Sequence, residues 1–277
     1  MSVRIRTLFL SDLHLGSRHC RADQLLALLN RFEPEAIYLV GDAIDGRELT
    51  HRWRWPEVYN QILARFSELK DRGTELFYTP GNHDEFMRHL LAHVPAKFLT
   101  SSIKIAPEFV HITADGKRLL VIHGDQFDNH ECHCGLVSKL TAFIYDKLLH
   151  ADRWLRWTGY SSSRYDNTLS SWLKKRLGKL QLFFNEYKEK LSAHAISRQM
   201  DGILCGHIHQ PMLDTTGKTA YFNTGDWLEH CSAIIEEDNG HLKLIFSDDL
   251  SNYPDDDQFH PARNATMSPT KPDFEAV

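Results

Sequence analysis

The chain has 277 residues, with 42% hydrophobic and 25% charged side chains and a formal net charge of −5. This is ordinary globular usage, long enough for one large domain or two small ones, and it excludes a collagenous, coiled-coil or mainly disordered chain. The longest apolar runs are five residues, at 25–29 and 36–40, against the ~20 that a spanning helix needs.

Residues 4–10 read as a strand and 22–32 as a helix, with Leu25, Leu28, Leu29 and Phe32 on one stripe and Pro34 as its stop. Residues 36–40 read as a strand buried on both faces. A second helix is expected over 56–71, where Val58, Ile62, Phe66 and Leu69 recur at helical spacing, with Gly73 after it. Further strands are expected at 75–79, 118–122, 202–205, 220–223, 232–236 and 242–246. Strand–helix alternation followed by strands alone predicts a layered α/β or α+β domain with mixed sheets.

Residues 129–200 break this rhythm and read as a helical insert. They hold ten aromatic residues and carry a net charge of +6, leaving −11 on the rest. Residues 250–277, with Pro254, Pro261, Pro269 and Pro272, read as a flexible tail after a domain of 1–249. The N-terminus lacks the long apolar stretch of a secretory leader. Together with five cysteines, an odd number, this places the expected location in the reducing cytoplasm.

Histidine is the compositional outlier, with 17 residues. Five clusters lie just beyond the ends of apolar strands: Asp12-Leu13-His14, Gly41-Asp42, Gly81-Asn82-His83-Asp84, His123-Gly124-Asp125 and Gly206-His207-Ile208-His209. That edge of an α/β sheet is where ligands bind. In extended chain, residues i and i+2 point the same way, so Asp12 with His14, and His207 with His209, are expected to face one cavity. A single such cluster is ordinary turn chemistry; five in succession point to a metal centre. Asp45, Asp125, Asp128 and Asp226 are expected as supporting or turn residues. Trp53, Trp55 and Arg47 either line a cleft or cap a core. Cys132-His133-Cys134 has the wrong spacing for structural zinc.

In this order, DLHLG, GDAID, GNHD, HGD and GHIH resemble the calcineurin-like metallophosphoesterase superfamily. GNHDEF, HGDQFD, CGHIH and NTGDWLEHC resemble its UDP-2,3-diacylglucosamine diphosphatase branch and close homologues. The resemblance implies a four-layer α/β/β/α sandwich of two mixed β-sheets, with the helical insert as a lid. It implies one divalent ion on Asp12, His14, Asp42 and His209 and a second on Asp42, Asn82, His123 and His207, with Asp42 as the bridge. A nitrogen and oxygen donor set without thiolate suits Mn²⁺, the ion expected by family analogy, or Fe or Zn²⁺. Two such ions activate water and stabilise phosphoryl charge.

The resemblance assigns His83 to leaving-group protonation or oxyanion stabilisation, with Asp84 orienting its ring, and Asn82 and His83 to substrate binding. The established lipid A pathway members carry arginine where this chain has His83, and histidine there is the general phosphodiesterase form. The implied reaction cleaves UDP-2,3-diacylglucosamine, or a similar nucleotide-linked lipid, to UMP and an acylated sugar 1-phosphate. The alternative is a phosphodiesterase or phosphatase acting on a soluble nucleotide or small phosphoester. A lipid substrate implies peripheral contact with the cytoplasmic face of the inner membrane. Arg153, Arg156, Lys174, Lys175, Arg176 and Lys179 would then rim an apolar groove in the insert, whose aromatics could equally be buried in their own domain. The net negative charge argues against specific nucleic-acid binding, and the sequence leaves the oligomeric state open.

Overall fold

The computed structural model describes residues 2–88, 103–128, 169–252 and 274–276. The chain divides into two compact units, one of 1–125 with 192–277 and the other of 126–191. The first unit opens with β1 (Val3–Leu10), α1 (Ala22–Arg31), β2 (Phe32–Val40), α2 (Gly46–His51), α3 (Glu57–Asp71) and β3 (Glu75–Thr79). It continues through β4 (Lys104–Ile105), β5 (Glu108–Ile112) and β6 (Arg118–Ile122). Helix α4 (Leu169–Ser197) begins in the second unit and ends in the first. After it come β7 (Gly202–Cys205), β8 (Met212–Asp214), β9 (Ala220–Asn223), β10 (Ser232–Glu236), β11 (Leu242–Phe246) and β12 (Phe274–Ala276).

The strands form two six-stranded sheets, ordered β11-β10-β1-β2-β3-β4 and β12-β5-β6-β7-β9-β8. Both are mixed. In the first, β1, β2, β3 and β4 run parallel, and β10 and β11 join antiparallel. In the second, β6, β7 and β9 run parallel, flanked by antiparallel β5 and β8. The expected pair of mixed sheets is therefore present.

Alternation along the strands explains the layering. Phe9, Ala36, Tyr38, Val40 and Phe77 of the first sheet share a buried cluster with Phe109, Leu119, Val121, Leu204 and Phe222 of the second. Tyr38 stacks on Phe77 at 4.5 Å between ring centroids, and Phe109 meets Phe77 edge-on at 5.3 Å. The intervening residues Leu8, Leu10, Ile37, Leu76 and Tyr78 turn the other way, into a core with Leu25, Leu28 and Leu29 of α1 and Tyr59, Ile62 and Phe66 of α3. A buried polar knot also ties the sheets together. Glu236 on β10 accepts hydrogen bonds from Thr7 on β1 (2.7 Å) and from the Ala114 amide (2.8 Å). His111 Nε2 on β5 lies 2.8 Å from the same carboxylate.

Several elements depart from the expected pattern. Pro34 lies inside β2, opposite Ile5, instead of forming a boundary after α1. Pairing with β3 begins only at Ala36, and the Pro34 carbonyl accepts the Thr74 hydroxyl at 2.7 Å, so the missing N–H breaks no ladder bond. Strands β4, β5 and β8 and helix α2 were not expected. Within the expected tail, Phe274–Ala276 pairs antiparallel with β5. Of the expected insert, 169–200 is described. Cys132, His133, Cys134, Arg153 and Arg156 lie outside the described residues, as do the side chains of 174–179.

Candidate metal centre

The ends of five strands, three from the first sheet and two from the second, carry the candidate donors. β1 delivers Asp12 and His14, β2 delivers Asp42, β3 delivers Asn82 and His83, β6 delivers His123, and β7 delivers His207 and His209. The ladder between β1 and β2 continues past the strands, with Asp12 N–H on Gly41 O (3.0 Å), His14 N–H on Asp42 O (2.9 Å) and a bridge between Leu15 and Ile44. These loops are therefore held as firmly as sheet backbone.

Asp12, His14, Asp42, His207 and His209 all have positive φ, between 47° and 67°. The left-handed region is uncommon for non-glycine residues and clusters at functional sites. It also replaces the i, i+2 alternation expected from extended chain: the side chains converge because the backbone curls at each of these residues.

Glycines clear the space around them. A Cβ on Gly41 would meet the His123 ring, one on Gly81 the Asp42 carboxylate, and one on Gly206 Ser11 Oγ and Asp12 Oδ2.

Each carboxylate has one oxygen tied down and one open. Asp12 Oδ2 accepts from Ser11 Oγ (2.5 Å) and His207 N–H (3.0 Å). Its Oδ1 faces His209 Nε2 at 3.2 Å and His14 Nε2 at 3.8 Å. Asp42 Oδ1 accepts from His83 N–H (2.7 Å), while its Oδ2 lies 3.4 Å from His123 Nε2 and 3.9 Å from His14 Nε2.

The imidazoles follow a matching rule. His123 Nδ1 is held by Val40 O at 2.9 Å, His14 Nδ1 lies 3.3 Å from Asp45 and His209 Nδ1 lies 3.4 Å from Asp226. A proton on Nδ1 leaves the Nε2 lone pair aimed inward, as metal-binding histidines require. Asn82 Oδ1 lies 3.4 Å from His123 Nε2, and the His207 ring stands 5.2 Å from that of His123.

This arrangement fits divalent cations. Asp12, His14 and His209 form one buried or half-buried group whose donor atoms could share an ion, and Asp12, Asp42 and His123 form another. Asp12 Oδ1 and His14 Nε2 are buried without a hydrogen bond of good geometry. Burial alone would lower the proton affinity of His209 and His123. Asp12 outweighs burial at His209 and Asp42 outweighs it at His123, pushing each up to about 10. The same negative potential attracts a metal ion.

The structure reassigns Asp84. It is fully buried and accepts the Ala43 amide (2.9 Å), the Gly81 amide and the Tyr78 hydroxyl, so it fixes the loop instead of the His83 ring. His83 Nδ1 instead lies 3.1 Å from Asp45 Oδ1. Asp45 also caps α2 by accepting Glu48 N–H at 2.9 Å. Its carboxyl is held well below the usual range because His14 and His83 outweigh its burial.

Asp226 takes three successive amides, from Leu228, Glu229 and His230. Asp125 is bidentate to Arg88 at 2.7 and 2.8 Å. Two further holders, Ser11 and Asn223, were not singled out in the sequence; Asn223 Nδ2 donates to Gly206 O at 2.7 Å. Their one cue is a polar residue at the end of an apolar strand. Trp53 is 75% exposed and stacks on Trp55 at 6.1 Å, so it does not cap a core.

The chain is similar to known proteins over most of its length. A protein named UDP-2,3-diacylglucosamine hydrolase from Porphyromonas gingivalis is 28% identical over 84% of this chain and 94% of its own length. One of the same name from Psychromonas ingrahamii is 30% identical over 87% of this chain and 97% of its own. Among solved structures, Yfce, a phosphoesterase from E. coli, has a TM-score of 0.44 and 18% identity over 88% of this chain and 94% of that one. Residues 5–211, which span all seven candidate ligands, match the calcineurin-like phosphoesterase family. The chain therefore belongs to the calcineurin-like phosphoesterase family and is a metal-dependent phosphoester hydrolase.

Proposed function

We propose that this hydrolase cleaves the diphosphate bond of UDP-2,3-diacylglucosamine, or of a similar nucleotide-linked lipid, releasing UMP and an acylated sugar 1-phosphate. The observation that carries the proposal is near full-length similarity, at 28% and 30% identity, to two proteins named for that substrate. In this reading Asp12, His14, Asp42 and His209 hold one ion and Asp42, Asn82, His123 and His207 hold the other. When bound, the ions supply Lewis acidity and an activated water. Nitrogen and oxygen donors suit Mn²⁺, Fe or Zn²⁺, and family analogy favours Mn²⁺.

The remaining work falls to the chain. Asn82 and His83 lie against the phosphoryl group. His83, its Nδ1 held by Asp45, presents Nε2 to the leaving oxygen and gives it a proton. Ser11 and the His207 amide keep Asp12 turned inward, and the His83 amide does the same for Asp42. The aromatic residues and +6 charge of residues 129–200 suit acyl chains and contact with an anionic membrane surface. Among the described residues, no helix is long and apolar enough to cross a membrane.

His83 favours a second reading, hydrolysis of a soluble nucleotide or small phosphoester, because the lipid A pathway members it resembles carry arginine there. A Mn²⁺-supplemented assay on UDP-2,3-diacylglucosamine and bis-p-nitrophenyl phosphate separates the two. UMP release from the first is expected. Turnover of the second alone establishes the alternative.

A further inference from the structure

The histidines proposed for the two ions are not backed alike. His14 and His209, assigned to the first ion, each have a carboxylate oxygen behind the ring. Asp45 Oδ2 stands 3.3 Å from His14 Nδ1, and Asp226 Oδ2 stands 3.4 Å from His209 Nδ1. His123, assigned to the second ion, has the neutral Val40 carbonyl 2.9 Å from its Nδ1. Asp125, the carboxylate nearest to His123 in sequence, is committed to Arg88 at 2.7 and 2.8 Å. The direct donors lean the same way. Asp12 serves the first ion alone, Asp42 is shared, and Asn82 on the second ion is uncharged.

Both backing carboxylates are buried, and each is fixed by its other oxygen. Asp45 Oδ1 accepts Glu48 N–H at 2.9 Å. Asp226 Oδ1 accepts the Leu228 and Glu229 amides at 2.8 and 2.6 Å, and its Oδ2 also lies 2.9 Å from His230 Nδ1. Backbone amides thus aim the remaining oxygen of each group at a ligand ring.

A carboxylate behind a ligating imidazole orients the ring and makes its far nitrogen a stronger donor. We propose that Asp45 and Asp226 are positioning residues that make the ion on Asp12, His14 and His209 the tighter-held of the two. The centre then loads in a fixed order, and the ion on Asn82, His123 and His207 enters last and exchanges first. This inference rests on the ligand allotment proposed above and requires no particular substrate.

The test follows Mn²⁺ binding to the metal-free full-length chain, by calorimetry and by the electron paramagnetic resonance of free Mn²⁺, with no substrate present. Wild-type protein is expected to show two steps. His209→Ala is expected to remove the tighter step and His123→Ala the weaker. Asp45→Asn and Asp226→Asn keep the oxygen that accepts the amides and replace only the one facing the ring. Each is expected to weaken the tighter step about 10–100-fold, the range typical of such a partner, and to leave the weaker step nearly unchanged. Asp45→Ser still caps α2 but has no second oxygen, and it repeats the measurement if the asparagine variant fails to fold. Two equal steps, the reverse order, equal weakening of both steps, or a lower urea midpoint with no change in Mn²⁺ affinity each overturns the proposal alone. Absence of a second step in wild-type protein overturns the two-ion allotment and this inference with it.

Discussion

At the scale of single residues, the centre is built by two-ended side chains. His123 spends Nδ1 on the Val40 carbonyl, His14 and His209 turn Nδ1 towards the Asp45 and Asp226 carboxylates, and all three point Nε2 inward. His83 obeys the same rule through Asp45 but stands nearer the surface, with 31% of its side chain exposed. That difference predicts separable roles. His83→Ala should lower kcat by about 10²–10⁴, the usual worth of a positioned general acid, with two ions per chain retained by elemental analysis. Loss of both ions in that variant would make His83 a ligand and refute the assignment. Asp84 shows what sequence position conceals. Its place beside His83 implies a partner for that ring, yet its carboxylate turns inward to the Ala43 and Gly81 amides. Which neighbour a side chain bonds depends on backbone dihedrals, and these are not written in spacing.

At the scale of elements, each donor follows a strand whose direction is fixed by parallel pairing, and a glycine often opens the turn. Gly41 has φ of +81°, and a Cβ there would enter the His123 ring. Gly73 has φ of +105° but faces open space. Gly73→Ala should therefore carry only the left-handed penalty of roughly 1–2 kcal/mol. Gly41→Ala should add a steric cost of about 1–3 kcal/mol and weaken Mn²⁺ binding. Urea denaturation and calorimetry on both variants check this, and equal behaviour would show that the contact is relieved elsewhere. The strand-end donors were readable because each follows an apolar run such as AIYLV or RLLVI. Strand β5, EFVHI, was not, because Glu108 and His111 disguise it; His111 is buried only because Glu236 awaits it on the other sheet. Helix α2, six residues with no buried side chain, has no apolar stripe to read.

At the scale of the whole molecule, the first sheet contributes Asp12, His14, Asp42 and Asn82, and the second His123, His207 and His209. The site therefore depends on how the two sheets pack, through Tyr38, Phe77 and Phe109 and through the Glu236 knot. Global stability should fall at alkaline pH. Burial pushes the Cys20 thiol up to about 12, Cys231 to about 11 and the Tyr59 phenol to about 12. Free thiols titrate near 8.5 and phenols near 10. Between those values and the folded ones, the unfolded chain has lost protons that the native chain keeps. The share of stability that these three groups contribute is thus complete below about pH 8.5 and declines as pH rises towards 12. Urea midpoints at pH 8 and pH 10.5 measure the decline, and a flat profile would contradict it.

The curled backbone at Asp12, His14, Asp42, His207 and His209 has one more consequence. Each left-handed residue is held against its own preference at a cost on the order of 1 kcal/mol. A population of variants selected for heat resistance alone, blind to turnover, would drift towards glycine at these five places. The places where such proteins gained robustness would map the chemistry they had given up.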